Sequence, residues 1–240
     1  MTSSPRPSDP ETRLSVSPLQ ASRRLGAISL LALGVALVGY WSPWLTLPAA
    51  ALRRNGFDLT EWVTFLPGVR DGSLPLSRLV FFLPLACLAL LLALAAHAGP
   101  HHTVGRLRWR NWLPASAGGW GLWLLAALCA LLILPPYEVL RNRDYWPEYQ
   151  TQFLLTGITL VGVAASGFAL RQVSRGLQIV LSAAGAGYGA WALITLRPAA
   201  NELLNAPWPV GLGWWAMLAG FAGVAVTAAW PWVFRRKRTA

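Results

Sequence analysis

Charged residues are scarce in this sequence, and the shortage restricts the class of protein. Asp, Glu, Lys and Arg make up 12% of the 240 residues, whereas 55% of the residues are hydrophobic. An average soluble domain is about 25% charged. This composition excludes an ordinary soluble domain and indicates an integral membrane protein.

Cysteine and the common catalytic motifs are also missing or rare. The 2 cysteines, Cys87 and Cys129, lie inside apolar stretches, where a thiol packs as a small hydrophobic group and no disulfide framework is needed. The chain has no Gly-rich phosphate loop, no Gly-x-Ser-x-Gly, no His-Glu-x-x-His and no Cys-x-x-Cys. The sequence therefore predicts no enzyme activity and no cofactor or metal.

The basic residues do not form a nucleic-acid-binding pattern. The formal net charge is +11, yet its carriers lie in short segments between apolar stretches and not in a stripe with stacking aromatics. Arginine supplies 19 of the 20 basic residues, a bias typical of a GC-rich bacterial genome. We expect lipid headgroups and protein subunits as partners, and no nucleic acid.

Six apolar stretches are long enough to cross a bilayer, which takes about 20 residues. None of the six contains Asp, Glu, Lys or Arg. The predicted fold class is all-α, a polytopic integral membrane protein with a six-transmembrane-helix bundle over residues 25–234 and a short amphipathic outer helix. The predicted spans are 25–41, 79–98, 118–134, 153–170, 177–196 and 211–234.

The distribution of arginine and lysine predicts the orientation, because basic residues in short loops stay on the cytoplasmic side. Segments 1–24, 99–117, 171–176 and 235–240 hold 13 basic residues, against 7 in the alternate segments. We therefore expect a multi-pass protein of the plasma membrane with both termini in the cytoplasm. Residues 1–24 predict a disordered tail, and the basic tail 235–240 is expected to contact anionic headgroups.

The sequence has 14 tryptophans. Many of them fall at the predicted span ends, where aromatic rings form interfacial belts. An aromatic ligand cage is the alternative interpretation of the neighbouring pairs. The tryptophans assigned to the belt are Trp41, Trp44, Trp120, Trp208, Trp214, Trp230 and Trp232.

The longest outer segment, residues 42–78, has a helical pattern. After a turn at Asn55-Gly56, Asp58 and Glu61 have the spacing of a helix N-cap and its capping-box partner. Apolar residues then recur on one helix face at Leu59, Trp62, Val63 and Leu66. A short amphipathic helix over 59–66 is expected to lie on the outer surface or to cover the bundle. Asp58, Glu61 and Trp62 are candidate partner-facing residues, and a carboxylate pair for acid-base or cation chemistry is the alternative for the two acids.

The second outer segment, residues 135–152, mixes charged and aromatic side chains of the types enriched at protein interfaces. Arg141, Arg143 and Trp146 are its candidate partner-facing residues. An interfacial loop closed by internal ion pairs is the alternative. The remaining members of the mixture are Tyr137, Glu138, Asp144, Tyr145, Glu148 and Tyr149.

The three histidines, His97, His101 and His102, cluster around the end of the second span. Two ligands four positions apart share a helix face only if the helix continues, and Gly99-Pro100 is expected to end it. Polar histidines at headgroup level are the preferred interpretation. A haem or metal site is the alternative.

Small residues in the spans predict close helix contacts. In the fifth span Gly185 and Gly189 share a face, and in the sixth Ala216 and Gly220 do so. Further small residues are Ser182 and Gly223, and Gly157, Gly162 and Gly167 in the fourth span.

Taken together, these patterns favour a non-catalytic membrane subunit, either a permease-like component energised by a partner or a scaffold of a multi-subunit transport complex. The absence of charge from every predicted span argues against autonomous proton-driven transport. The alternative function is a redox, quinone-linked or haem-associated subunit that uses His97, His101 and His102. A channel acting alone and a membrane enzyme of another type remain less favoured.

Overall fold

The computed structural model describes residues 18–47, 52–97, 113–169 and 171–236. These residues are mostly helical, with one two-stranded antiparallel sheet that departs from the all-α prediction. The elements are α1 Pro18–Trp41, β1 Leu45–Leu47, β2 Leu52–Arg54, α2 Gly56–Trp62, α3 Pro67–Arg70, α4 Arg78–Ala96, α5 Ala117–Leu131, α6 Tyr137–Arg141, α7 Trp146–Ala165, α8 Arg171–Leu204 and α9 Leu212–Arg236. Short 3-10 helices occupy Val63–Phe65, Arg143–Tyr145 and Ser166–Phe168.

Five of the described helices are long and apolar enough to cross a membrane: α1, α4, α7, α8 and α9. The predicted count of six spans is not confirmed, because α5 has only 15 residues. At about 1.5 Å per residue, such a helix is shorter than the roughly 30 Å of a hydrocarbon core. The five long helices are compatible with a multi-pass membrane protein.

Several helix ends differ from the predicted boundaries. Helix α8 has 34 residues and takes in both 171–176 and the start of 197–210, which the sequence predicted as loops. Helix α1 begins at Pro18, inside the predicted tail, and residues 1–17 and 237–240 lie outside the described parts of the chain. Polar helix ends give no hydropathy signal, so a hydropathy reading ends these helices too early.

The long helices pack around a central α4, of whose residues 78% are buried. Two hydrogen bonds show that α5 and α7 run antiparallel. Near the start of α5, Trp123 Nε1 donates to the carbonyl oxygen of Val163 at the end of α7, at 3.3 Å. Near the start of α7, Gln152 Nε2 donates to the carbonyl oxygen of Ile133, just after α5, at 2.8 Å. Helices α5, α7 and α8 pack on α4, while α9 packs between α8 and α1. One end of the bundle carries β1, β2 and α2, and we call it the hairpin end.

Glycines allow the backbones of α1 and α9 to touch. A Cβ atom on Gly220 of α9 would lie 2.6 Å from the carbonyl oxygen of Ala32 and would also meet the amide nitrogen of Ala36. A Cβ on Gly39 of α1 would lie 2.7 Å from the carbonyl oxygen of Gly213. These positions exclude any side chain, as expected where small residues bring helices together.

The contact between α8 and α9 is of another kind. Gly185 and Gly189 leave room for two large side chains of α9, since Cβ atoms there would meet the Phe221 ring and the Met217 methyl group. Ala216 is half-buried, and Gly220 faces α1 instead of α8. Small residues of α8 thus make space for large side chains of α9. Between α1 and α9, by contrast, small residues of α1 face small residues of α9.

Replacing Gly220 with alanine should destabilise the protein by about 1 to 3 kcal/mol, the usual cost of forcing extra volume into a packed site. The added methyl group would press against backbone atoms of α1, which cannot rotate out of the way as a side chain can. Gly34→Ala is the matched control, since nothing lies within 4 Å of a Cβ there. Thermal unfolding in detergent checks both variants, and equal midpoints would contradict the close contact.

Candidate functional site

The hairpin end is closed by three extended segments. Antiparallel pairing joins β1 to β2, with Leu45 opposite Arg54. The segment before α9 adds to the free edge of β1 through a bridge between Leu45 and Val210 and through the Gly211 amide, which donates to the carbonyl oxygen of Trp44 at 2.7 Å. Backbone groups of these three described segments are therefore paired with one another.

We call these three extended segments the cover, and two buried tryptophans lie beneath it. Trp44 and Trp208 are fully buried. The indole N–H of Trp44 donates to the carbonyl oxygen of Gly39 at 3.1 Å, and the Trp208 ring packs 5.7 Å from that of Trp62, centroid to centroid.

The predicted lipid-facing belt is wrong for Trp44, Trp208 and Trp214. Trp214 is buried and donates its indole N–H to the carbonyl oxygen of Gly189 at 3.0 Å, while the cover hides the other two. Trp41, Trp120 and Trp230 are exposed, and the side chain of Trp232 lies outside the described part of the chain.

Helix α2 begins earlier than predicted because Asn55, and not Asp58, is its N-cap. The Asn55 side chain accepts from the Asp58 amide at 2.8 Å, and Asp58 Oδ2 accepts from the Asn55 amide at 3.4 Å. Asn55-Gly56 is thus a helix start and not a separate turn. Gly56 fits here because its position faces the Tyr40 and Trp44 rings, with no space for a side chain. Asp58 is the capping-box partner of Asn55, so the prediction of Asp58 as the N-cap with Glu61 as its partner is wrong.

The apolar face of α2 and the following 3-10 turn points into the bundle. Leu59, Val63 and Leu66 are buried, and α2 packs on α4. Trp62, a candidate partner-facing residue, lies against Trp208 instead. Glu61 is exposed and Asp58 is half-buried. The amphipathic segment therefore covers the bundle and presents Glu61 and Phe65 to the surroundings.

The 135–152 segment forms an open concave surface. Five side chains around α6 line a cavity of about 510 Å³: Tyr137, Glu138, Arg141, Asn142 and Tyr145. We call these five residues the α6 surface. The Tyr137 and Tyr145 side chains are 70% and 50% exposed, and Arg141 is exposed as well. The structure therefore places one candidate residue, Arg141, beside aromatic groups that are available to a ligand.

The other two candidates of this segment are placed differently. Trp146 is exposed on one side, but its indole N–H donates to the carbonyl oxygen of Val139 at 3.2 Å, and its ring packs 5.6 Å from that of Phe153. Trp146 thus ties α6 to α7. The side chain of Arg143 lies outside the described part of the structure.

An ion pair that the sequence did not reveal anchors α7 beside α4. Arg78 Nη2 lies 2.6 Å from Glu148 Oε1, and the two side chains are 9% and 61% exposed. The Arg78 guanidinium also sits 4.0 Å from the centroid of the Tyr149 ring. No local pattern predicts this contact, because 70 positions separate the two charges.

Of the three histidines, His97 is the one that lies within the described residues. Helix α4 ends at Ala96 with His97 as its C-cap residue, and His101 and His102 fall in the segment that is not described. The described parts of the chain contain no group of three His, Cys, Asp or Glu side chains placed to hold a metal ion.

Glu148→Gln should lower the free energy of unfolding by about 1 kcal/mol, a reduced value for a charged hydrogen bond because Glu148 is partly exposed. The substitution leaves the buried Arg78 charge beside a neutral amide. Glu202→Gln removes an exposed carboxylate of α8 and serves as the control. Unfolding midpoints that fall equally in both variants would refute the anchoring role.

Comparisons with protein families, with curated proteins and with solved structures give no match. The geometry of the hairpin end is therefore the basis for a functional proposal.

Proposed function

We propose that this chain is a non-catalytic, multi-pass subunit of a larger membrane complex, and that it binds a partner protein through the α6 surface. The carrying observation is the exposure of Tyr137, Arg141 and Tyr145 around one cavity. Tyrosine and arginine are enriched among the residues that contribute most to binding. Their concentration on a five-residue helix suits a docking surface.

The anchoring of this surface supports the proposal. At the base of α6 and α7, Trp146 bonds to the Val139 carbonyl, Gln152 bonds to the Ile133 carbonyl and Arg78 pairs with Glu148. A surface held in one arrangement before binding loses less conformational entropy when a partner docks. The exposed rings are thus presented by a firmly attached helix.

The outward faces of the long helices support a lipid environment. Large apolar side chains remain exposed along them, far more than a soluble monomer leaves uncovered. Lipid satisfies such a surface and leaves the bundle ends for protein contacts. Examples are Leu31, Val38, Leu154, Ile158, Val161, Val180, Ile194 and Val226.

A permease-like or scaffold role in a transport complex suits the interior of the bundle. Thr156 and Thr159 are buried, and their hydroxyl groups donate to the Gln152 and Leu155 carbonyl oxygens of the same helix. Such hydroxyl groups add no charge relay of the kind that proton-driven carriers use. In this proposal the energy for transport comes from another subunit.

A photo-crosslinking amino acid placed at Tyr137 or Tyr145 should capture the same single partner chain from the native membrane. The Arg141→Ala substitution should reduce both adducts by about tenfold, since a hydrogen bond to a charged group contributes about 1.5 kcal/mol or more. Mass spectrometry of the adducts identifies the partner.

The control position for crosslinking is Phe65, which is exposed outside the α6 surface. An identical set of adducts from Phe65, or no adduct from Tyr137 and Tyr145, would reject the docking site. An absorption band of haem or flavin in the purified protein would favour the redox alternative.

The proposed orientation puts both termini in the cytoplasm and the hairpin end outside. Ser73 and Ala115 are exposed at opposite ends of the bundle. With Ser73→Cys, a membrane-impermeant maleimide should label intact cells, and with Ala115→Cys it should label only after lysis. The native Cys87 and Cys129 are buried and give the background. The reverse labelling pattern would invert the topology.

A further inference from the structure

A second concave surface lies between the end of α8 and the start of α9. Its volume is about 400 Å³, and its lining includes Ile194, Arg197, Asn201, Trp214 and Trp215. We call it the Arg197 groove. It is separate from the α6 surface, with which it shares no residue.

Arg197 is oriented but not neutralised. Its Nε donates to the carbonyl oxygen of Trp208 at 3.1 Å, which fixes the plane of the guanidinium group. Within the described residues its Nη groups make no hydrogen bond, and the ion pair found there joins Arg78 to Glu148. An exposed, oriented guanidinium can donate its free N–H groups to a phosphate or a carboxylate.

Asn201 is oriented by the same segment. Its Oδ1 accepts from the Trp208 amide at 2.8 Å, which leaves the amide NH₂ as a further donor on the groove lining. Two side chains of α8 thus hold the backbone of one residue, and each keeps donor groups for a ligand.

Below these polar groups the groove is apolar. Ile194 lies one helical turn before Arg197, toward the middle of the bundle, and is 66% exposed. The Trp215 ring is 56% exposed and packs edge-on, 4.5 Å from Trp214 between centroids. A cation at the rim and exposed apolar side chains one turn deeper reproduce the order of headgroup and acyl chain in a lipid.

We propose that the Arg197 groove binds a phospholipid. The phosphate accepts hydrogen bonds from the Nη groups of Arg197 and from the Asn201 amide, while an acyl chain lies over Ile194 and Trp215. This assignment rests on the membrane location proposed above, but not on docking of a protein at the α6 surface. Charge complementarity with Arg197 selects the phosphate, and the exposed apolar wall selects a lipid over a free anion.

Native mass spectrometry in a neutral detergent tests the groove with three probes. Phosphatidylglycerol carries both features, a diacylglycerol with the same chains lacks the phosphate, and glycerol phosphate lacks the chains. We expect bound phosphatidylglycerol and at least about tenfold weaker retention of the other two. Equal retention of the diacylglycerol would overturn the role of Arg197, and equal retention of glycerol phosphate would overturn the lipid.

Three variants locate the binding on the chain. Arg197→Gln should lose about tenfold in phosphatidylglycerol affinity, whereas Arg197→Lys keeps the charge and should retain most of it. Arg53→Gln removes an exposed arginine at the same end and should bind as the wild type does. A loss in the Lys variant equal to that in the Gln variant, with unchanged thermal unfolding, would contradict charge recognition.

These outcomes are independent of the crosslinking at Tyr137 and Tyr145. Lipid retention that depends on Arg197, without any captured partner, would leave the groove intact and reject only the docking function. A captured partner together with lipid retention that does not depend on Arg197 would support the docking function and reject the lipid site.

Discussion

The backbone contact between α1 and α9 determines the arrangement of the hairpin end. Gly39, Gly213 and Gly220 allow these two helices to touch without intervening side chains. The end of α1 and the start of α9 consequently meet, and the amides of Gly211 and Gly213 bond to the carbonyl oxygens of Trp44 and Pro43. The cover of the bundle is thus a continuation of one helix pair into extended structure.

Both proposed sites depend on that cover, although by different routes. The cover holds Trp208 in place, and the Trp208 carbonyl and amide orient Arg197 and Asn201. Helix α2 follows β2 and lies on α4. Helix α4 in turn presents Arg78 to Glu148 of α7, which carries the α6 surface. A change at the glycines of α1 and α9 is therefore expected to reach the Arg197 groove first.

The sequence predicted what hydropathy encodes and missed what distant contacts decide. Long apolar helices follow from the composition of consecutive residues, so the sequence predicts most of the long helices of the structure. The pairing of Leu45 with Val210 and of Arg78 with Glu148 joins residues far apart in the chain, and no local pattern carries it. The predicted cap of α2 was wrong although the true signal is local: Asn55 and Asp58 have the spacing of an N-cap and its capping-box partner, but Asn55-Gly56 also matches a turn.

The arginines of the hairpin end show why residue type alone does not identify a functional site. A topology count treats Arg70, Arg78, Arg141 and Arg197 alike, as charges on one side of a membrane. In the structure Arg78 is buried, pairs with Glu148 and lies over the Tyr149 ring, while Arg70 is exposed and donates through Nε to the Thr64 carbonyl oxygen beside the Phe65 ring. Arg197 is oriented with its Nη groups unused, and Arg141 lies exposed on a cavity. Arg141 and Arg197 differ from Arg70 and Arg78 because their side chains line concave surfaces, and the proposed sites are centred on these two for that reason.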